Sequence, residues 1–263
     1  MLPLWWKQDL SCMASKKTYK KRLDLVLVEK GLILSRPRAK AMIMAGKVLV
    51  NDMVVDKPGS LVNTLATIIV KQDDNPYVSR GGLKLEKALK TLPICVKNLT
   101  CLDIGASTGG FTDCLLQFGA KKVYAVDVGY GQLDWSLRQD ERVVVIERTN
   151  IRNLAYETIN ETMDMVVADT SFISLKTVIP AAEKFMGKGT GILALIKPQF
   201  EAGRENIGKG GVVKDPKIRE MVVDEIQTFF KTRGYQVNDV VPSPILGPKG
   251  NKEYIISLNF KEI

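Results

Sequence analysis

Charged side chains stand at the ends of four apolar segments in the second half of this sequence. Asp103 and Asp127 lie at the ends of two leucine- and valine-rich segments, and Asp169 and Lys197 close two more. The sequence contains no histidine, which excludes a Ser-His-Asp or Cys-His nucleophile system and the usual near-neutral general base. Acid–base chemistry therefore has to come from lysine, aspartate, glutamate, tyrosine or cysteine.

A glycine-rich loop follows Asp103 directly. Residues 105–111 read Gly-Ala-Ser-Thr-Gly-Gly-Phe, and glycines there let a ligand approach the backbone closely. Asp127 ends the next apolar segment, where a carboxylate accepts hydrogen bonds from the ribose hydroxyls of a nucleoside cofactor. The structural alternative is that any strand–turn–helix junction needs glycine. A nicotinamide-dependent dehydrogenase is the chief functional rival, and the missing GxGxxG pattern disfavours it.

Cysteine spacing and hydropathy argue against several other classes. Cys12, Cys95, Cys101 and Cys114 form no CxxC pair, so the sequence predicts neither a zinc site nor a disulfide scaffold. No uninterrupted apolar run approaches the roughly 18 residues that span a membrane. We therefore expect a cytoplasmic protein with reduced cysteines, no metal and no membrane partner.

The net charge of +9 is concentrated near the start of the chain. Residues 16–60 hold eleven basic and four acidic side chains, whereas residues 61–263 hold 26 basic and 24 acidic ones. A solvated surface is the plain explanation of such an excess. Because clustered lysine and arginine also bind phosphates through counterion release, the other interpretation is a module that binds a polyanion.

The sequence patterns on the two sides of residues 71–82 differ in kind. These twelve residues are polar and rich in turn formers, so we place a linker there. Beyond it, apolar segments alternate with helical ones, which indicates a doubly wound, mostly parallel α/β sheet of seven strands. The last strand follows a loop and is expected to pair antiparallel. The predicted strands are 99–104, 122–127, 142–147, 163–169, 191–197, 236–241 and 254–259, and the predicted helices are 111–119, 132–139, 174–186 and 215–233.

The basic segment before the linker predicts a small α+β module. A first helix over 22–31 ends at a glycine, and a second starts at Ser35 with Pro37 in its first turn and Gly46 past its end. With the Ser-Arg helix start and the Ala-Gly-Lys-Val segment at 45–48, this module resembles an S4-type RNA-binding domain. The resemblance implies a basic surface that binds structured RNA. The residues it implies for RNA binding are Arg22, Ser35, Arg36, Arg38, Lys40 and Lys47.

The glycine loop with acidic residues at both strand ends resembles that of S-adenosylmethionine-dependent methyltransferases. In that class the loop faces the methionine portion, which implies that Asp127 holds the ribose and Asn150 lies at the adenine edge. Trp135 is nearby, and we expect it to pack in the core rather than against adenine. The cofactor-binding residues implied are Asp103, Gly105, Ser107, Gly109, Gly110, Phe111, Asp127 and Asn150.

Four charged residues carry a more specific resemblance. Lys84 in SRGGLKL, Asp169 in ADTSFIS, Lys197 in LIKPQFE and Glu253 in NKEY match the Lys-Asp-Lys-Glu catalytic tetrad of FtsJ-like RNA ribose 2′-O-methyltransferases. With the S4 module in front, the chain resembles the TlyA (haemolysin A) family over about residues 20–260. Members of that family methylate ribose 2′-hydroxyls in ribosomal RNA.

The family resemblance also implies an arrangement of domains. Residues 20–70 are expected to form the S4 domain, and residues 83–263 a Rossmann-like, S-adenosylmethionine-dependent methyltransferase domain. Residues 1–19 are expected to be a disordered leader. The implied partner is ribosomal RNA or a ribosomal subunit.

Two interpretations of Lys197 stay open from the sequence. By resemblance it takes the proton of the 2′-hydroxyl, a role that requires the neutral amine. Burial and Lys84 favour that form, whereas Asp169 and Glu253 favour the ammonium, which would only orient the hydroxyl. The alternatives to the whole assignment are a non-catalytic RNA-binding protein and a haemolysin, as the family name suggests.

Overall fold

The computed structural model describes residues 19–33, 35–71 and 75–261. The chain divides into two compact units, one within residues 1–74 and the other within residues 75–263. The predicted leader lies outside the described residues except for Tyr19.

The first unit is a small α+β domain. Its elements are β1 (Lys20–Arg22), α1 (Leu23–Glu29), α2 (Arg36–Met44), β2 (Val48–Val50), β3 (Met53–Val54), β4 (Leu61–Asn63) and β5 (Ile68–Val70). β1 pairs with β4, and β2 lies between β3 and β5, all antiparallel. The predicted cap of α2 is present, because the Ser35 hydroxyl accepts a hydrogen bond from the Arg38 amide at 3.5 Å. Both helices bury apolar side chains such as Leu23, Leu27 and Ile43 in one core.

The second unit is an α/β domain built on one sheet. Its strands are β6 (Thr100–Ile104), β7 (Lys122–Val126), β8 (Val143–Ile146), β9 (Met163–Ala168), β10 (Met186–Ile196), β11 (Gln236–Pro242) and β12 (Tyr254–Asn259). Its α-helices are α3 (Gly81–Thr91), α4 (Gly110–Gln117), α5 (Trp135–Arg138), α6 (Tyr156–Ile159), α7 (Leu175–Ala181), α8 (Pro198–Glu201) and α9 (Pro216–Thr232).

The seven strands lie in the order β11-β12-β10-β9-β6-β7-β8. Strands β6 to β10 are mutually parallel, and β12 runs antiparallel between β10 and β11. This confirms the predicted fold class and the antiparallel last strand. Parallel strands need helical crossovers, which is why helices alternate with β6 to β10 along the sequence.

Alternate residues of the central strands enter two separate cores on opposite faces of the sheet. On β9, Val166 and Ala168 pack in one core with Ile179 of α7 and Phe230 of α9. The intervening Val167 packs in the other core, which also holds residues of α3 and α4. Because both faces are covered, these strands read as continuous apolar runs, as the sequence suggested.

The structure differs from the sequence prediction at several places. The linker prediction extends too far, because Tyr77 is buried against α3 and that unpredicted helix begins at Gly81. The helix predicted over 174–186 stops at Ala181, since a 3₁₀ turn leads directly into β10. Trp135 is 69% exposed at the start of a one-turn helix, so the expected core position is wrong.

Candidate active site

The topology of the sheet brings three of the predicted catalytic residues to one edge. Asp169 follows β9 and Lys197 follows β10, and parallel neighbours end at the same edge. Glu253 instead precedes β12, whose first residue, Tyr254, pairs with the last residue of β10, Ile196. Because β12 runs antiparallel to β10, its first residues lie at the same sheet edge as the last residues of β9 and β10.

Helix α3 supplies the fourth residue, Lys84. The N-terminal ends of α3 and α4 approach so closely that a Cβ atom at Gly110 would lie 2.9 Å from the amide nitrogen of Gly82. Apolar residues of α3 pack in the core beneath it, including Leu85 and Ala88, which are fully buried. The Lys84 side chain, only 9% exposed, consequently lies at the same sheet edge.

These four residues, hereafter the lysine–carboxylate cluster, form a chain of contacts. Lys84 Nζ lies 2.8 Å from Glu253 Oε2 and 3.5 Å from Asp169 Oδ2. The other oxygen of Asp169 lies 2.6 Å from Lys197 Nζ. Beyond the cluster, Lys197 Nζ donates to Ser171 Oγ at 3.1 Å, and the Gln199 side-chain amide donates to Glu253 Oε1 at 3.2 Å. Two cations and two carboxylates thus balance in charge.

The position of Lys197 at the end of this chain leaves it hydrogen-bonding capacity. A lysine ammonium has three N–H donors; one is directed at Ser171, and Asp169 contacts the nitrogen as an ion-pair partner. Lys197 also lines a cavity of about 320 Å³ together with Lys84, Asp169 and Ser171. A substrate oxygen in that cavity could accept a hydrogen bond from Lys197 Nζ, whose position is fixed by its other contacts.

The segments that follow β9 and β10 contact each other next to the cluster. The Phe172 ring lies 4.9 Å from that of Phe200, centroid to centroid, and the backbone of Phe172 has a φ of +65°. The Glu201 carboxylate accepts from the Ser174 hydroxyl at 2.6 Å and from the Leu175 amide at 2.8 Å. Burial raises the pKa of Glu201. These contacts fix the distance between the two strand exits that carry Asp169 and Lys197.

The glycine loop lies beside the cluster. Gly105 has a φ of +84°, and a Cβ atom there would lie 2.9 Å from the Asp169 carbonyl oxygen, so glycine lets the exits of β6 and β9 come together. Asp103 is fully buried and accepts from the Thr112 hydroxyl at 2.7 Å. Burial raises the pKa of Asp103 to about 7.

Asp127 and Asn150 lie around a second cavity, of about 340 Å³. The Asp127 carboxylate accepts from the Ser107 amide at 2.8 Å and from the Gly129 amide at 2.6 Å, which fixes its orientation. The Asn150 side-chain oxygen caps a 3₁₀ turn by accepting from the Arg152 amide at 3.1 Å. The apolar part of this cavity is formed by Val128, Ile151 and Val178, among others.

The two cavities meet at the glycine loop and the exit of β9. Gly105, Ser107, Asp169 and Ser171 line both of them. Among the residues predicted for the cofactor, those that line a cavity are Gly105, Ser107, Gly110, Phe111, Asp127 and Asn150. Asp103 and Gly109 line neither of the two, because Asp103 is buried beneath the loop and the Cα of Gly109 faces Leu137.

In the first unit, a buried carboxylate binds two of the predicted RNA-binding arginines. Asp24 lies 3.0 Å from Arg22 Nε and 2.9 Å from Arg36 Nε, and these three residues are hereafter the arginine–Asp24 cluster. Hydrogen bonds from Arg22 and then Arg36 lower the pKa of Asp24 to about 2. Arg38 and Lys40 are exposed on α2, and Lys47 is half-buried. Ser35 is engaged as the cap of α2.

Two observations bear on other kinds of site. Within residues 19–33, 35–71 and 75–261, no group of three or more Cys, Asp and Glu side chains could hold a metal ion. The same described residues include no helix long and apolar enough to cross a membrane.

Sequence reasoning missed the residues that support the cluster. Ser171, Gln199 and Glu201 each lie within four residues of a predicted catalytic side chain, but their contacts cross between strand exits that are far apart in sequence. Helix α3 was also missed, although apolar residues at 85, 88, 89 and 92 have helical spacing.

Comparison with known proteins gives two family matches. The family model described as FtsJ-like methyltransferase matches residues 77–260, and the S4 domain model matches residues 21–66. The two matches fall in the second and first structural units respectively.

Similar proteins match over most of the chain. A Bacillus subtilis protein described as "Putative rRNA methyltransferase YqxC" is 49% identical, covering 94% of this chain and 88% of the relative. The "16S/23S rRNA (cytidine-2'-O)-methyltransferase TlyA" of Mycobacterium tuberculosis is 48% identical, with 90% and 89% covered. A solved structure, "Putative hemolysin from Streptococcus thermophilus", superposes with a TM-score of 0.73 at 43% identity, covering 92% of this chain and 89% of that one.

Proposed function

Because the chain belongs to the TlyA (haemolysin A) family, in which an S4 domain precedes an FtsJ-like methyltransferase domain, we propose that it methylates ribose 2′-hydroxyls of ribosomal RNA. The observation that carries this proposal is the lysine–carboxylate cluster at one sheet edge, with Lys197 facing a cavity beside the glycine loop. Such a substrate implies that the enzyme acts in the cytoplasm.

The residues of the second cavity fit S-adenosylmethionine as the methyl donor. The fixed Asp127 carboxylate accepts hydrogen bonds from ribose hydroxyls, and the apolar side chains of Val128 and Ile151 provide a surface for adenine. Asn150 keeps its amide N–H donors for the adenine edge. The glycine loop between the cavities leaves room for the methionine portion. When bound, this cofactor supplies an electrophilic methyl group on a sulfonium sulfur.

The role of the cluster is to hold one oxygen in line with that methyl group. Lys197 binds the 2′-hydroxyl of the RNA, and Asp169 fixes the lysine from the other side at 2.6 Å. Lys84 and Glu253 in turn fix Asp169 and keep the site electrically balanced. When the cofactor is bound, the bond from the 2′-oxygen to the methyl carbon would form as the carbon–sulfur bond breaks, and the hydroxyl proton would pass to solvent, or to Lys197 if its amine is neutral. Alignment of the reacting atoms at about 3 Å supplies much of the rate.

The S4 unit contributes affinity for structured RNA. Arg38 and Lys40 are exposed on one helix and contact phosphates, whereas Arg22 and Arg36 present only the donors that Asp24 leaves available. Ser35 acts by capping the helix that carries Arg38 and Lys40.

The experiment that tests this function follows labelled methyl groups. Purified protein, radiolabelled S-adenosylmethionine and unmodified small or large ribosomal subunits are incubated, and the rRNA is then digested with a nuclease that requires a free 2′-hydroxyl. We expect label in a nuclease-resistant dinucleotide. Because the 48% identical relative is named for cytidine, the analysis begins with cytidine-containing dinucleotides.

Calorimetry with S-adenosylmethionine, run beside the transfer assay, separates the alternatives. Cofactor binding without transfer to either subunit would point to a different RNA substrate. Absence of both binding and transfer would favour an RNA-binding protein without catalysis and would overturn the proposal.

A further inference from the structure

We propose that Ser171 is a positioning residue, which fixes the Lys197 side chain toward the methyl-accepting hydroxyl. This inference rests on the proposed function and adds to it a residue outside the Lys-Asp-Lys-Glu tetrad. Lys197 Nζ donates to Ser171 Oγ at 3.1 Å while Asp169 contacts the same nitrogen at 2.6 Å. The hydrogen bond to Ser171 sets the direction of one N–H, and together with the ion pair to Asp169 it restricts rotation of the lysine nitrogen.

The location of Ser171 fits this role. Its side chain is exposed and lines both the cavity with Lys84 and Lys197 and the cavity with Asp127. The donor and the acceptor of the methyl group have to meet where the two cavities join. A hydroxyl that accepts from Lys197 keeps its own proton free to donate, so Ser171 can also contact an oxygen placed there.

Asp169 alone cannot give the same constraint. It is shared between Lys84 and Lys197, and a single contact to a flexible lysine leaves rotation about that contact free. Charged groups near Lys197 include Asp169 and, through it, Lys84 and Glu253. Among the partners of Lys197 given above, Ser171 is the uncharged one, and it is therefore the one that can be removed without changing the charge balance.

The backbone next to Ser171 is held by contacts with the segment that follows Lys197, as expected for a residue that positions this lysine. Phe172 has a left-handed φ of +65°, which is an unfavourable conformation for a residue with a side chain. The Phe172 ring, although 88% exposed, contacts the Phe200 ring, and Ser174 and Leu175 donate hydrogen bonds to Glu201. These contacts connect the segment that carries Ser171 to the segment that follows Lys197.

The test compares Ser171→Ala and Ser171→Thr with the unchanged protein in the methyl-transfer assay. Loss of a hydrogen bond to a charged group predicts that Ser171→Ala lowers kcat by about ten- to a hundredfold. KM for the rRNA substrate and the affinity for S-adenosylmethionine should change less than threefold. Ser171→Thr keeps the hydroxyl and should recover most of kcat.

A matched control is Ser136→Ala, which removes another exposed serine hydroxyl of the second unit, one that donates to Asp134. It should leave kcat unchanged, and thermal melts should show all variants folded. If Ser171→Ala keeps full kcat, or Ser171→Thr is as slow as Ser171→Ala, the positioning role is wrong while the proposed function stands. If the unchanged protein transfers no methyl group, the proposed function itself fails.

Discussion

Each unit of this protein contains a carboxylate shared by two cations, and the two clusters differ in the exposure of those cations. In the arginine–Asp24 cluster, Asp24 is fully buried, but the side chains of Arg22 and Arg36 are 44% and 48% exposed. In the lysine–carboxylate cluster, the shared Asp169 is 19% exposed and Glu253 is fully buried, and the side chains of Lys84 and Lys197 are only 9% and 8% exposed.

The difference shows how one kind of interaction serves two purposes. Half-exposed arginines can turn toward water, so the arginine–Asp24 cluster braces a surface that stays available to phosphates. Buried lysines cannot be rehydrated without opening the fold, so the lysine–carboxylate cluster keeps its geometry fixed around a cavity. The first arrangement favours binding, and the second favours alignment of reacting groups.

The largest effect is expected at Lys197. Lys197→Ala removes the group that we propose holds the acceptor oxygen, and we expect kcat to fall by about a thousandfold or more. Affinity for rRNA should stay within a few-fold, as measured by filter binding, because the exposed cations of the first unit are unchanged. Lys188→Ala, at the exposed beginning of the same strand, is the matched control and should retain full activity.

Lys197→Arg then distinguishes the two interpretations of this residue. The guanidinium of arginine keeps the positive charge and stays protonated, so it cannot accept the proton of the hydroxyl. Partial activity of this variant would support an orienting role, and complete loss with an intact fold would support proton transfer to the lysine.

Glu253→Gln compared with Asp24→Asn tests the contrast between the clusters directly. Each substitution neutralises a fully buried carboxylate with little change in shape. Glu253→Gln leaves Lys84 buried with Asp169 at 3.5 Å, so we expect it to lower the free energy of unfolding by about 3 kcal/mol. Urea unfolding at pH 7 measures this cost. Equal losses for the two variants would contradict the importance of cation exposure.

Asp24→Asn should cost less, about 1–2 kcal/mol, because its half-exposed arginines are screened by solvent. The pKa of Asp24 is lowered from 3.8 to about 2, so its stabilisation is fully present above pH 4 and disappears as the pH falls toward 2. The stability difference between wild type and variant should therefore shrink over that range. Hydrogen exchange of peptides from α1 and α2 would locate the effect in the first unit.

The smallest effect is expected for replacement of Arg38 and Lys40 by alanine. The proposed function assigns phosphate contacts to these exposed cations, so their loss should weaken rRNA binding by about tenfold and reduce the salt dependence of log Kd by about two. Binding isotherms at several salt concentrations measure both. Replacing Arg22 and Arg36 instead should reduce the salt slope less, since Asp24 already neutralises part of their charge. The opposite order would mean that RNA contacts the arginine–Asp24 cluster.

The sequence predicted the features that follow from strand direction. Asp169 and Lys197 end neighbouring parallel strands, so their meeting at one sheet edge required only the right strand assignments. The meeting of Glu253 with them depended on the antiparallel last strand, which the sequence also indicated. The position of Lys84 was harder to predict, because its helix begins at Gly81 with no side-chain cap from the preceding Arg80 and follows a polar segment.

Charge counts were a weaker guide than strand ends. They placed the basic surface in the first unit, but they did not show that Arg36 pairs with a carboxylate twelve positions earlier. Such a contact depends on how α1 packs against α2. In the same way, Trp135 was expected in the core, and the one-turn helix that carries it leaves it exposed.

The place of β12 in the sheet has a consequence for how the enzyme is made. This strand comes last in the described chain, yet it inserts between β10 and β11 and positions Glu253. While a ribosome is still synthesising these residues, two strands lack their partner and the lysine–carboxylate cluster lacks one of its anions. A nascent or prematurely terminated chain therefore has no complete site. The site is complete only once β12 has been synthesised and has entered the sheet between β10 and β11.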